Sequence, residues 1–135
     1  MKKGIFYLVC VGILLTSSAC SVREKSKEKI RDLEFVVLQE EEIPEELKER
    51  MDAEQMKDYR MTYTEQEKLY IARGYGERGT DGYRVGVKEC YETENTICIH
   101  TELLGPEKGE KIQRRKTNPH VVVLLSAVEK PVIFN

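Results

Sequence analysis

The sequence predicts an α+β fold that is mainly β, an antiparallel sheet or small sandwich of about seven strands with one short helix. Short runs rich in β-branched and aromatic residues recur along the chain, and many alternate polar with apolar residues, which is typical of strands. One strongly acidic segment instead carries apolar residues four apart, as a surface helix does. Segments with glycine, proline or clustered charges separate these runs, as expected of turns and loops.

The beginning of the chain has the features of an export signal. Lys2 and Lys3 precede an uncharged apolar run over residues 4–15. This run is too short for a membrane span, because a helix needs roughly 20 apolar residues to cross a hydrocarbon core of about 30 Å. We therefore expect residues 1–19 to be a signal peptide that is cleaved.

Small residues lead from this run to Cys20, and the stretch TSSAC resembles the lipobox of bacterial lipoproteins, although Ser17 stands where that motif usually has leucine. Acyl chains such as palmitate on Cys20 would anchor the chain, since each buried CH₂ contributes about 0.8 kcal/mol. We expect a lipid-anchored, extracytoplasmic protein of the cell membrane. The alternative is a plain secretory signal cut after Ala19, which would leave Cys20 as a free thiol.

Residues 20–32 are highly charged and nearly free of apolar residues, so they predict a flexible tether, with a solvated first helical turn as the alternative. Residues 33–135 suffice for a single domain. The formal net charge is −2, and loss of Lys2 and Lys3 with the signal makes it more negative. A nucleic-acid partner is therefore not expected, and we interpret the short basic cluster at 114–116 as a solvated turn.

The domain begins with a predicted strand over residues 33–38. Glutamates before Pro44 favour a helix start there, and the helix should end near Met56 with Leu47 and Met51 on its buried face. The remaining predicted elements are a hairpin over 59–74 with its turn at 65–68, a second hairpin joining 83–91 to 96–104, a long charged loop over 105–118, a buried strand at 121–125 and a last short strand at 132–134.

The second hairpin contains two cysteines. A three-residue turn at 93–95, with Asn95 in the left-handed conformation, would place Cys90 directly opposite Cys98 on the polar face. Because exported proteins meet oxidising conditions, this register predicts a cross-strand disulfide. A two-residue slip or a reducing environment would leave two thiols instead. Only His100 shares this face with them, which is too few ligands for a predicted metal site.

Neither histidine lies in a catalytic motif, and no phosphate-binding loop is present. His100 is interpreted as a surface residue, and His120, after Pro119 at a strand start, as a capping or turn residue. The glycine-rich stretch 74–82 is not followed by a predicted helix, so we interpret it as a tight turn. We therefore expect no catalytic residues and no cofactor.

The C-terminal half, residues 70–134, resembles the PrcB-like protease-complex family. That family has a G-x-x-x-T-G-G-Y turn leading into an alternating strand, a second strand, a long loop with a proline, a valine-rich strand and a closing V-x-F. The corresponding segments here are GERGTDGYRVGV at 76–87, TICIHTELLGP at 96–106, NPHVVVLL at 118–125 and PVIF at 131–134. Asp81 replaces the first glycine of the family's pair and could still enter a left-handed turn at some cost.

The resemblance implies a non-catalytic accessory role, because lipoproteins of this kind are associated with stabilising a surface protease complex. Thr80, Gly82 and Tyr83 match the family's turn and are the candidate partner contacts; alternatively they only close a strand connection, with Tyr83 in the core. The expected partners are the membrane, through the lipid, and an exported protein, with a protease as one candidate. The alternatives are an envelope lipoprotein that binds a small ligand or cell-wall component, and an enzyme with an unfamiliar site.

Overall fold

The computed structural model describes residues 28–135, so the predicted signal, Cys20 and residues 20–27 of the predicted tether lie outside the described residues. Within this range there are ten strands, one α-helix and a 3-10 turn, which confirms the mainly β prediction with three strands more than expected. In chain order they are β1 (Lys29–Asp32), β2 (Val36–Val37), the 3-10 turn Glu40–Glu42, α1 (Glu45–Glu54), β3 (Asp58–Glu65), β4 (Lys68–Tyr75), β5 (Arg78–Thr80), β6 (Arg84–Thr93), β7 (Ile97–Leu104), β8 (Arg114–Thr117), β9 (His120–Ser126) and β10 (Val132–Phe134).

Eight of the strands form two four-stranded sheets, called sheet I and sheet II. Sheet II has the strand order β2-β9-β4-β3 and is antiparallel throughout. Its β3–β4 hairpin is fully regular, and the turn residues Gln66 and Glu67 both have positive φ, 47° and 64°. Such a pair of left-handed residues gives a turn whose twist matches that of the strands, although asparagine and glycine are the usual choices. The predicted hairpin is confirmed, as is the buried strand β9 at the centre of the sheet.

Sheet I has the strand order β1-β6-β7-β10, with β10 parallel to β7 and the other pairs antiparallel. Strand β1 corrects the tether prediction, because Lys29–Asp32 pairs with the end of β6. All four β1 residues are exposed, so composition alone gave no strand signal. Backbone pairing and an ion pair between Arg31 and Glu92, at 2.7 Å, order this segment in place of apolar burial.

The predicted strand over 33–38 is where the chain crosses between the sheets. The Leu33 N–H donates to the Cys90 carbonyl of sheet I, whereas Val36–Val37 pairs with β9 of sheet II. Only these two residues form a strand, so the prediction was too long. Leu33 and Phe35 pack against the core between the sheets instead.

Two apolar clusters hold three layers together. The first lies between the sheets, and its buried members are Leu69, Ile71, Cys90, Ile97, Ile99, Val121, Val123 and Leu125. The second lies on the opposite face of sheet II, where α1 covers it with Leu47 and Met51, as predicted for the helix stripe. Within residues 28–135, no helix has the length and apolar character needed to cross a bilayer.

The predicted loop over 105–118 contains a strand. Residues Arg114–Thr117 form β8, which pairs antiparallel with β5 in the glycine-rich segment. The basic cluster at 114–116 therefore lies on a two-stranded ribbon and not in a turn. Arg115 and Lys116 contact Asp81 and Glu77 across it, so ion pairing accompanies the backbone ladder.

The register predicted for the second hairpin is correct at its open end and wrong near its turn. Val85 lies opposite Leu103, but an extra residue at Lys88 makes a β-bulge and shifts the pairing by one. Cys90 then lies opposite Ile99 in the core, and Cys98 lies opposite Tyr91 on the other face. The turn has two residues, 94 and 95, and Asn95 does not adopt positive φ.

Cys90 and Cys98 are both free. This register does not support the predicted disulfide, because the two cysteines are not opposite each other and lie on different faces of the hairpin. Burial raises the pKa of the Cys90 thiol to about 11. A thiol with such a pKa carries little thiolate at neutral pH and is therefore a poor nucleophile.

Candidate functional site

A cleft of about 450 Å³ opens between the two sheets at the edge where β2 lies. Four segments form its walls: the end of β2 with the segment that follows it, the turn before β6, the end of β8 and the start of β9. Its apolar lining includes Val37, Tyr83, Val85 and Val121, and its polar lining includes Glu40, Asp81, Arg84, Arg115, Asn118 and His120. The cleft is open to solvent because β2 covers only two residues of β9 and β1 pairs only with the far end of β6.

The family-type turn lies at the mouth of this cleft. The Asp81 N–H donates to the Gln113 carbonyl at 3.1 Å, and Asp81 Oδ1 accepts from the Gln113 N–H at 2.8 Å. Thr80 adds a bond, because its carbonyl accepts from the Thr117 hydroxyl at 2.7 Å. These contacts close the β5–β8 ribbon, so Asp81 acts as a closing residue in an ordinary backbone conformation and not in the left-handed one considered from the sequence.

Gly82 carries the left-handed conformation of the turn, with φ of 89°. A Cβ atom at this position would lie 2.9 Å from Pro106 Cγ and 2.9 Å from Glu110 Oε2, so space as well as φ favours glycine. The long loop between β7 and β8 thus packs directly on the turn. Gly82 therefore determines the shape of this turn.

Tyr83 follows as a half-buried wall of the cleft, neither fully in the core nor fully exposed. The Arg78 guanidinium lies 5.7 Å from the centre of its ring, within cation–π range. The structure therefore brings Gly82 and Tyr83 to the cleft, whereas Thr80 supports the turn from the ribbon behind it.

His120 lies at the first position of β9, where sequence reasoning predicted a capping or turn role. Its Nδ1 lies 2.6 Å from the Asn118 carbonyl and its Nε2 contacts Glu40 Oε1. The Asn118 carbonyl can only accept, so Nδ1 is the donor of that hydrogen bond and Nε2 is the ring nitrogen that faces Glu40. This contact fastens the 3-10 turn to sheet II and links the cleft to a neighbouring hollow of about 410 Å³ beside α1.

The charged rim of the cleft is mixed. Arg84 pairs with Glu107 at 3.0 Å and Arg115 pairs with Asp81 at 3.4 Å, while His120 contacts Glu40. Arg84, Glu107 and Arg115 are largely exposed, so solvent screens the two arginine ion pairs. The arginines can therefore exchange these partners for groups on a ligand. An apolar floor within an exchangeable charged rim is the usual anatomy of a binding surface.

The sequence did not identify the cleft residues that lie outside the family-type turn. Val37 was assigned to the predicted strand over residues 33–38, Glu40 to a helix start and Arg115 to a turn. The available signal was an apolar run over residues 33–38 that is followed, after Gln39, by three glutamates. In the part of the chain that the structure describes, no three His, Cys, Asp or Glu residues are grouped as metal ligands would be.

Comparison with known proteins bears on the half of the chain that contains this turn. No curated protein and no solved structure gives a significant match. One family model does match, over a segment that begins in β4 and ends with β9 and so includes the ribbon, the turn and most of the cleft. The closing PVIF segment lies beyond it. Residues 69–126 match the family described as PrcB C-terminal, which confirms the resemblance seen in the sequence.

Proposed function

We propose that the chain is a lipid-anchored, extracytoplasmic binding module without a catalytic role, and that it is an accessory or stabilising subunit of a surface protease complex. The observation that carries this proposal is that the family turn, Asp81–Tyr83, forms a wall of an open cleft. The family name and the signal-like beginning of the chain supply the kind of partner, an exported protease.

The geometry suits a protein segment as the occupant of the cleft. Val37 is 53 % exposed although it lies among apolar neighbours, so a partner's apolar side chain would bury it. Arg84 and Arg115 at the rim offer planar donors that fit carboxylates or backbone carbonyls. A lipid anchor would raise the effective concentration of the module beside a partner on the same membrane, so a cleft of moderate affinity would suffice.

Two neighbouring valines provide a matched test. Val37→Lys places a charge in the cleft at an exposed position that folding tolerates, whereas Val36→Lys places it at a similarly exposed residue outside the cleft. We expect wild type and Val36→Lys to recover an exported protease from native membranes, identified by mass spectrometry, and Val37→Lys to lose it. Equal recovery by both variants, or no protease with wild type, would contradict the proposal.

The anchor is tested separately by labelled palmitate. We expect label on the wild-type chain and none on Cys20→Ser, which should also be released from the membrane fraction. An unlabelled, membrane-free wild-type chain would contradict lipid anchoring and would leave the cleft experiment unaffected.

A small ligand or cell-wall component is the second candidate, because the cleft volume lies within the range of about 300–1,000 Å³ typical of small-molecule sites. A thermal-shift screen with cell-wall fragments distinguishes the two. Stabilisation of wild type that Val37→Lys abolishes, together with no recovered protease, would favour the ligand-binding function.

A further inference from the structure

Within the described residues the two four-stranded sheets end in four edge strands, and three of these are poorly suited to pairing with another chain. The edges of the β5–β8 ribbon are also short, with three and four residues. β2 has two residues, β10 has three and directly follows Pro131, and β1 has four residues and an irregular register. Short or bulged edges and prolines are the usual devices that prevent edge-to-edge association. The fourth edge, β3, has eight residues, a regular register throughout and no proline.

The hairpin turn determines which backbone groups of β3 are free. Glu65 and Lys68 flank the two-residue turn and form its closing hydrogen-bonded pair. Bonding to β4 alternates along an antiparallel strand, so the N–H and C=O groups that point away from β4 belong to Asp58, Arg60, Thr62 and Thr64. All four residues are exposed, and no other strand within residues 28–135 pairs with this edge.

We propose that β3 pairs antiparallel with β3 of a second copy of this chain, about a two-fold axis at Met61. Arg60 then lies opposite Thr62, and Asp58 lies opposite Thr64, so every outward-pointing residue enters a hydrogen-bonded pair. The two copies of sheet II become one continuous eight-stranded sheet. A two-fold axis makes each contact occur twice, as in most homodimers.

The side chains of β3 are complementary to themselves in this register. Lys57, just before the strand, lies opposite Glu65 at both ends of the pair, and Tyr59 lies opposite Tyr63 on the same face. No like charges are opposed, and opposite charges and aromatic pairs directly across a ladder stabilise it.

The neighbouring symmetric registers lack this complementarity. An axis at Arg60 places the two Arg60 side chains opposite each other. An axis at Thr62 places Glu65 opposite Tyr59 and moves the partner of Lys57 out of the strand, to Glu67 in the hairpin turn. Like charges directly opposed destabilise a strand pair. The sequence of β3 therefore favours the register at Met61, in which both charges and aromatic residues are paired within the strands.

This interface is independent of the cleft. β3 and β2 are the opposite edges of sheet II, and the cleft lies beside β2. A dimer through β3 consequently leaves two clefts free and would present them bivalently to a surface partner.

Sedimentation of the purified chain over a range of concentrations tests the proposal, with charge variants at Lys57 and Glu65. We expect a reversible dimer that Lys57→Glu and Glu65→Lys each weaken by roughly tenfold, because each creates two like-charged oppositions. The double swap, Lys57→Glu with Glu65→Lys, restores the opposite charges and should restore the dimer. A chain that stays monomeric at every concentration would overturn the proposal.

A cross-link fixes the register without relying on affinity. Met61→Cys places a thiol opposite its own copy in a non-bonded pair, where Cα atoms lie about 4.5 Å apart, within disulfide range. Thr64→Cys is the control, because the two copies of residue 64 lie roughly 20 Å apart along the ladder. We expect a covalent dimer only with Met61→Cys. Cross-links from both variants alike, or from Met61→Cys to a different exported protein alone, would overturn a second copy as the occupant.

Discussion

The ring of Tyr59 lies on Gly74, its partner across the β3–β4 hairpin, and occupies the space that a side chain at position 74 would need. A Cβ atom there would be 2.1 Å from Tyr59 Cε2. The ring covers the Gly74 backbone on the face that α1 packs against. The Tyr59 side chain therefore fills the space that two side chains would otherwise share.

Gly74→Ala should therefore destabilise the fold, because the buried Tyr59 ring must leave its position. We expect a loss of about 1–3 kcal/mol in the free energy of unfolding, measured by urea denaturation. Gly79→Ala is the control, since a Cβ at position 79 meets nothing within 4 Å. Equal losses from both variants would contradict the close contact between Tyr59 and Gly74.

Leu47→Ala tests whether α1 is a docked layer. The Leu47 side chain is 0 % exposed at the centre of the cluster between α1 and sheet II, so truncation removes apolar burial and leaves a cavity. We expect a loss of about 2–5 kcal/mol by urea denaturation. Met56→Ala, just after the helix and 66 % exposed, should change the free energy of unfolding little. A comparably small change at Leu47 would mean that the helix is not packed on the sheet.

Local sequence patterns predicted the elements whose signal is contained within a few neighbouring residues. The β3–β4 hairpin, helix α1 and the last strand, β10, agree with their predicted positions, because alternation, an acidic helix start and a proline are each read within a few residues. The apolar run of β9 likewise indicated burial on both faces, and the structure covers it with sheet I and α1.

Elements that have no local signal and depend only on distant partners could not be predicted. β1 and β8 are exposed, charged segments that are strands only because β6 and β5 offer them free backbone groups. The cleft depends on the same contacts, so Gly82 and Tyr83 were identified by resemblance, whereas Val37 and Glu40 were not identified. The bulge at Lys88 has no sequence signal either, and it alone moves Cys90 from the polar face to the core.

The bulge makes a prediction about thiols. Native wild-type chain should keep both Cys90 and Cys98 reduced under mild oxidation, because they lie on opposite faces. Tyr91→Cys places a thiol directly opposite Cys98, at a Cα separation of about 5.5 Å that a disulfide can bridge. Mass measurement after alkylation without reductant should show the loss of two free thiols in the variant only. A bridge between Cys90 and Cys98 in wild type would instead indicate the unbulged register.

Glu92 joins three parts of sheet I through ion pairs. Its side chain is 10 % exposed and lies 2.6 Å from Lys130 Nζ and 2.7 Å from Arg31 Nε, while Lys130 also donates to the Thr93 carbonyl at 2.9 Å. Hydrogen bonds from Lys130 and then Arg31 hold the pKa of Glu92 below its ordinary value of 4.5. The contacts connect β1 and the segment before β10 to β6, so one carboxylate fastens both ends of the described chain.

A lowered pKa in the folded state means that the unfolded chain binds the proton more readily. The stability from Glu92 should therefore be fully present above about pH 4.5 and lost as pH falls through the lower pKa of the folded state. Glu92→Gln removes this contribution, so we expect a lower melting temperature than wild type at neutral pH and a difference that shrinks below pH 4.5. Glu94→Gln, exposed in the adjacent turn, should follow wild type at both pH values. A Glu92→Gln difference that is unchanged on acidification would show that the ion pairs do not supply this stability.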